Sequence, residues 1–117
     1  MKIKVFGKIW TLDFVPPSVL PKDEVADCDL PIAPGKSIPN KMIRISDNLT
    51  GEFLLDTIAH ELVHAAAPHL NEEFVETIAT DIARCVWRPE VLRRVLNDPK
   101  AKKTVLELLH SDTNAGN

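Results

Sequence analysis

The segment that most constrains the fold of this chain is 54–86, where two amphipathic helical patterns follow each other almost directly. Thr50 predicts the N-cap of the first helix, and Pro68 prevents its continuation. Asn71 predicts the N-cap of a second helix, which continues through Trp87. Because so few residues join the two patterns, we expect the helices to pack as antiparallel neighbours.

The first predicted helix carries the pattern H-E-x-x-H, formed by His60, Glu61 and His64. Residues four apart project from nearly the same side of a helix, so the two imidazoles can bind one zinc ion. Glu61 is adjacent and can act as a general base on a water molecule at that ion. The apolar residues of this helix form a stripe centred away from both histidines, which therefore face a different element. That stripe consists of Leu54, Leu55, Ile58, Ala59, Leu62 and Ala66.

A catalytic zinc site needs a third protein ligand, and the acidic start of the second helix offers candidates. At 100° per residue, Glu72 lies about 70° from the centre of the apolar arc of this helix, Glu76 about 110° and Glu73 about 170°. Glu72 is therefore predicted as the third ligand and Glu76 as the runner-up, whereas Glu73 points to solvent. His69 is a minor alternative. The arc comprises Phe74, Val75, Ile78, Ala79, Ile82, Cys85 and Val86, of which Cys85 is predicted to lie in the core.

Other residues could complete such a site. Asp56 and Asp81 are candidates to accept hydrogen bonds from the ligand histidines. Cys28 is a candidate to cap the zinc ion. The chain has no tyrosine to stabilise a negatively charged substrate oxygen. The remaining candidates for that role are His69, Arg84 and His110.

Outside the two helices, the alternation of polar and apolar residues and the positions of the prolines predict the other elements. Residues 2–15 alternate around a glycine and predict a β-hairpin. Residues 16–40 hold six of the nine prolines and predict a long loop, which either borders a substrate cleft or wraps over the hairpin. Residues 41–46 predict one more strand. Two short helices are expected at 89–96 and 100–110.

These elements predict a single α+β domain over residues 1–110, followed by a polar tail at 111–117. The net charge of −3 offers no basic surface for nucleic acid. No apolar run approaches the ~20 residues of a membrane span, and the first residues lack the apolar segment of a signal peptide. We therefore expect a cytoplasmic protein; its oligomeric state is left open.

A glutamate ligand on the helix after H-E-x-x-H is the gluzincin arrangement. Residues 72–83 are similar to the corresponding helix of the ImmA/IrrE-type metallopeptidases, with Glu72 at the ligand position. Residues 43–88 resemble, more closely, small zincin-like metallopeptidases encoded by bacteriophages and prophages. The resemblance implies a zincin-like domain, a zinc cofactor and a protein or peptide substrate in the bacterial host cytoplasm. It also implies that a strand near the first helix, here 41–46, runs along the cleft.

Motif and resemblance together predict a zinc-dependent metallopeptidase that hydrolyses peptide bonds by means of a water molecule activated by Glu61. The alternative is a non-catalytic protein that keeps the zincin scaffold and uses the metal structurally or for partner binding. The absence of tyrosine favours this alternative.

Overall fold

The computed structural model describes residues 1–31, 33, 35–97, 99, 100 and 103. It confirms the predicted α+β class, with a four-stranded mixed sheet and three helices. The strands are β1 (Lys2–Val5), β2 (Lys8–Val15), β3 (Ala26–Cys28) and β4 (Met42–Ser46), and the helices are α1 (Gly51–Ala66), α2 (Glu72–Val86) and α3 (Pro89–Asn97). No described helix combines the length and the apolar character that crossing a membrane requires. Apart from Lys100 and Lys103, the predicted helix 100–110 and the tail 111–117 lie outside the described residues.

The sheet has the strand order β1-β2-β4-β3. β1 and β2 form the predicted hairpin, and their tight turn places Phe6 and Gly7 at positive φ (48° and 75°). The right-handed twist of paired strands favours such a turn. β4 pairs with β2 in parallel, so the chain between them must cross back to the other end of the sheet.

The prediction that residues 16–40 form only an irregular loop is wrong. This segment contains a 3₁₀ turn at Pro17–Val19 and the short strand β3. β3 pairs antiparallel with β4 and forms an edge of the sheet. Asp27 of β3 forms an ion pair with Arg44 of β4, which ties the two strands together through their side chains. A strand of three residues lacks the alternation that reveals longer strands.

The core lies between the sheet and α1. Trp10, Leu12, Ile43 and Ile45 are buried on one face of β2 and β4, as period-two alternation requires. Leu54, Ile58 and Leu62 from the predicted stripe of α1 pack against this cluster, together with Ala65. α1 is therefore fixed in position by the sheet, and its opposite side is left for α2.

α2 is buried on α1 through a narrow stripe of small residues, Val75, Ala79 and Ala83. They recur every fourth residue and lie on one side of the helix. Two residues of the apolar arc, Phe74 and Ile82, are about half exposed. Cys85, predicted as core, is exposed as well. Only the small side chains lie on the line along which α2 approaches α1.

The difference between the two sides of α2 can be measured. We expect Val75→Ala to lower the free energy of unfolding by about 2 kcal/mol, because Val75 is fully buried and its truncation leaves a cavity. The larger truncation Phe74→Ala, at a side chain 51% exposed, should cost less than about 1 kcal/mol. Urea unfolding followed by circular dichroism measures both. A greater loss from Phe74→Ala would contradict the observed orientation of α2.

Candidate metal centre

Three side chains from α1 and α2 meet at one point. His60 Nε2 lies 2.7 Å from Glu72 Oε1, and His64 Nε2 lies 2.9 Å from Glu72 Oε2. The two imidazole nitrogens are 3.1 Å apart. Their convergence follows from the one-turn spacing of the histidines on α1 and from the antiparallel return of the chain into α2.

Glu72 reaches the histidines because it lies on the same side of α2 as the buried stripe, while its own side chain is 59% exposed. It precedes Val75 by three residues and Ala79 by seven, the spacing that keeps side chains on one side of a helix. The side chain of Asn71 accepts a hydrogen bond from the backbone N–H of Phe74 (2.8 Å) and so caps the first turn. The carboxylate thus stands at the positive end of α2, where a negative charge is favoured.

The chemistry and spacing of these donor atoms fit a metal ion. One donor atom from each of the three residues lies within 4.8 Å of the other two. Two ligands of one tetrahedral zinc ion lie about 3.3 Å apart when each metal–nitrogen distance is about 2.05 Å. The observed separation of 3.1 Å between the histidine nitrogens is close to that value. His60, His64 and Glu72 therefore form a triad that could hold a metal ion.

Glu61 is a buried carboxyl group beside this triad, with only 8% of its surface exposed. Burial is the largest cause that raises the pKa of its carboxyl group to about 7. The neighbouring carboxylates of Asp27, Glu72 and Glu24 contribute in the same direction. A carboxyl group with such a pKa can both accept and release a proton near neutral pH.

The triad and Glu61 open into a cleft of about 610 Å³. Residues 23–28 and Leu30 form one wall, and α1 and α2 supply the rest. The segment 16–40 thus does border the cleft, and its later part also lies near the hairpin, where Ile38 and Val5 share a smaller pocket. The strand along the cleft is β3, not β4 as expected from the resemblance. In the sequence, the signal for such a wall was the long proline-rich segment 16–40, for which a border of the cleft was one of two interpretations.

The other candidate ligands do not belong to the triad. Glu76 lines the cleft one turn after Glu72 but does not belong to the converging group. Glu73 is exposed on α2. His69 is also exposed and lines a separate apolar pocket with Leu30. Of the described acidic residues, Glu72 is therefore the one that meets both histidines.

The residues predicted to support the site have other contacts. Asp56 accepts a hydrogen bond from Thr80 Oγ1 (3.0 Å), which joins α1 to α2. Asp81 and Arg84 are exposed and line a shallow pocket with Glu76 outside the cleft. His110 lies outside the described residues. Among the residues that the structure describes, the cleft lining contains no tyrosine, lysine or arginine.

Cys28 lies in the wall of the cleft, but its sulfur is not among the converging donor atoms. Its thiol is 3.5 Å from the backbone oxygen of Asp29. Burial, followed by the negative charges of Glu61 and Asp29, raises the pKa of Cys28 to about 12. The thiolate is the form that binds metals and reacts with electrophiles, so this environment disfavours both roles.

Comparisons of the chain with protein-family models, with curated proteins and with solved structures found no match.

The raised pKa of Glu61 predicts a pH-dependent stability of the protein in the presence of a chelator. Below about pH 4.5 the carboxyl group of Glu61 is protonated in both the folded and the unfolded protein, and above about pH 7 it is ionised in both. Between these values it is ionised in the unfolded protein and still largely protonated in the folded protein. The folded state therefore loses stability as the pH rises through this interval. The Glu61→Gln variant does not have this titration. We therefore expect its free energy of unfolding to rise relative to that of wild type by on the order of 2 to 3 kcal/mol between pH 4.5 and pH 8.

Urea unfolding of both proteins across this range measures the effect. Glu73→Gln makes the same charge change at an exposed position of α2 and serves as the control. A stability difference between Glu61→Gln and wild type that does not change with pH would contradict the assignment.

The two cysteines should differ in reactivity. At pH 8 we expect iodoacetamide to modify Cys85 at least about tenfold faster than Cys28, because Cys85 is exposed whereas the Cys28 thiolate is disfavoured. Mass spectrometry of peptides from a time course measures both rates. In urea the difference should disappear; equal rates in the folded protein would show that Cys28 is as accessible and ionisable as Cys85.

Proposed function

We propose that this chain is a zinc-dependent metallopeptidase of the small zincin-like, gluzincin type found in phages and prophages. The observation that carries the proposal is the convergence of His60, His64 and Glu72 beside the buried carboxyl group of Glu61. Two imidazoles and one carboxylate suit zinc among the common divalent metals. The resemblance of residues 43–88 supports the same assignment, and the bacterial cytoplasm is the compartment we propose for it.

Each residue of the site has a role in this reaction. His60, His64 and Glu72 would hold the zinc ion, which would act as a Lewis acid on a peptide carbonyl and make a water molecule more acidic. Glu61 accepts a proton from the attacking water and then delivers it to the leaving amine. Burial and the neighbouring carboxylates raise the pKa of Glu61 in the metal-free protein. A bound cation would favour the carboxylate, which is the form that accepts the proton of the water molecule.

The form of the cleft supports a polypeptide substrate. β3 forms one wall and is an edge strand of the sheet, paired with β4 on its other side. Such an edge can bind an extended peptide through backbone hydrogen bonds. A second concavity of about 290 Å³ continues the cleft past Glu61 to Phe53 and Thr57, so the groove extends beyond the triad.

Substitutions of Glu61 and of Glu72 should have different effects on catalytic activity and on zinc content. We expect Glu61→Gln to retain zinc and to lower kcat by at least about 100-fold, because only the proton acceptor is lost. Glu72→Gln should weaken zinc binding by at least about tenfold, because a neutral amide replaces a charged ligand. Elemental analysis, competition with a chromogenic chelator and hydrolysis of a peptide library measure these effects.

Glu73→Gln is the matched control for Glu72→Gln and should change neither zinc content nor hydrolysis. Glu76→Gln tests the runner-up ligand. If this variant lost more zinc than Glu72→Gln, Glu76 and not Glu72 would be the third ligand. Peptide hydrolysis that survives Glu61→Gln would overturn the proposed mechanism.

The second candidate function is a non-catalytic domain that uses the metal structurally or for partner binding. The observation in its favour is that the described cleft lining offers no tyrosine, lysine or arginine to stabilise a developing negative charge on the substrate. Zinc bound in equimolar amount, a melting temperature that falls with chelator, and no hydrolysis of any peptide would favour this candidate.

A further inference from the structure

We propose that the cleft selects basic polypeptide segments, with Asp23, Glu24 and Glu76 as the residues that recognise lysine or arginine side chains of the substrate. The proposal deepens the proposed function, because it names the class of peptide for the same cleft. Opposite charges across a binding surface direct association and discriminate between partners.

The charge of the cleft is one-sided. Six carboxyl groups line it, and the same lining contains no lysine or arginine among the described residues. Two of the six already have partners, because Asp27 pairs with Arg44 and Glu72 contacts both histidines. Three of the others, Asp23, Glu24 and Glu76, form no ion pair among the described residues. The whole chain carries a net charge of only −3, so negative charge is concentrated in the cleft.

Glu61 is an independent indication that the cleft is built for a ligand. Its side chain is 8% exposed, lines the cleft and has no hydrogen-bond partner among the described residues. Its carboxyl oxygens reach the cleft and are not sealed in the core, because no described side-chain nitrogen or oxygen is fully buried without a hydrogen-bond partner. A substrate or a water molecule in the cleft can therefore contact this carboxyl group.

The three unpaired carboxylates come from two different walls of the cleft. Asp23 and Glu24 precede β3 in one wall, and Glu76 stands on α2 one turn beyond Glu72. Glu76 also lines the adjoining concavity that continues towards Phe53. A divalent ion at the triad would offset Glu72 and one further charge, so the cleft would remain negative with the metal bound.

Binding of two labelled probes tests this proposal. The probes are fluorescein-labelled extended peptides of equal length on the same alanine–serine background, one containing lysines and the other glutamates. In fluorescence anisotropy with the full chain and a chelator, which prevents hydrolysis, we expect the lysine peptide to bind at least about tenfold more tightly. Added salt should weaken its binding, because the contacts lie at a solvent-accessible cleft.

The variant that tests the named residues is Asp23→Asn combined with Glu24→Gln. Asparagine tolerates the left-handed backbone of Asp23 (φ 66°), so the fold should be retained. We expect about fivefold weaker binding of the lysine peptide, from two exposed charge contacts. Glu76→Gln should weaken it by about twofold.

The charge-matched control is Glu52→Gln combined with Glu73→Gln, both exposed and outside the cleft lining. It makes the same change in net charge and should alter binding by less than about twofold. Equal affinity for the two peptides, or an equal loss in the control, would overturn the proposal.

Hydrolysis measured separately distinguishes this inference from the proposed function. Zinc-dependent cleavage of neutral peptides, abolished by Glu61→Gln but without preference for lysine, would overturn the inference and leave the peptidase assignment in place. Selective binding of the lysine peptide without any cleavage would uphold the inference and overturn the peptidase assignment.

Discussion

The contact on which the site depends is the close approach of α2 to α1 through Val75, Ala79 and Ala83. Because these side chains are small, the two helices come near enough for Glu72 to span both imidazoles. The same approach lets Thr80 donate a hydrogen bond to Asp56 farther along the pair. A bulkier residue anywhere on this stripe would push α2 away and separate the triad without changing one of its members.

Stability and chemistry are in opposition at Glu61. A buried carboxyl group among other carboxylates destabilises the folded chain when it is ionised, and a metal ion bound nearby would relieve part of that cost. The sheet compensates elsewhere, because Trp10, Ile43 and Ile45 form a dry core on the other side of α1. One face of α1 thus stabilises the fold by packing against the sheet, and the other carries Glu61 at a cost in stability. Functional groups often have such a cost.

Local signals in the sequence were sufficient for the elements that hold the triad. Capping by Asn71 and the spacing of His60 and His64 are short-range features, and helical geometry alone ranked Glu72 ahead of Glu73. β3 could not be predicted in this way, because its strand character comes from pairing with β4 across a long connection. The prediction that Cys85 lies in the core was wrong for a related reason. The apolar arc of a helix indicates the direction of its buried side, but how much of the arc is covered depends on the neighbouring element.

The edge formed by β3 has a further consequence for the behaviour of the protein at high concentration. Open strand edges invite pairing with other molecules of the same chain, which leads to aggregation. β3 is only three residues long, and Asp27 and Asp29 place acidic groups in and directly after it. The charge of Asp27 is offset by Arg44, so Asp29 supplies the negative charge at this edge. Two copies that approached edge to edge would bring their Asp29 carboxylates together, and this repulsion disfavours self-association.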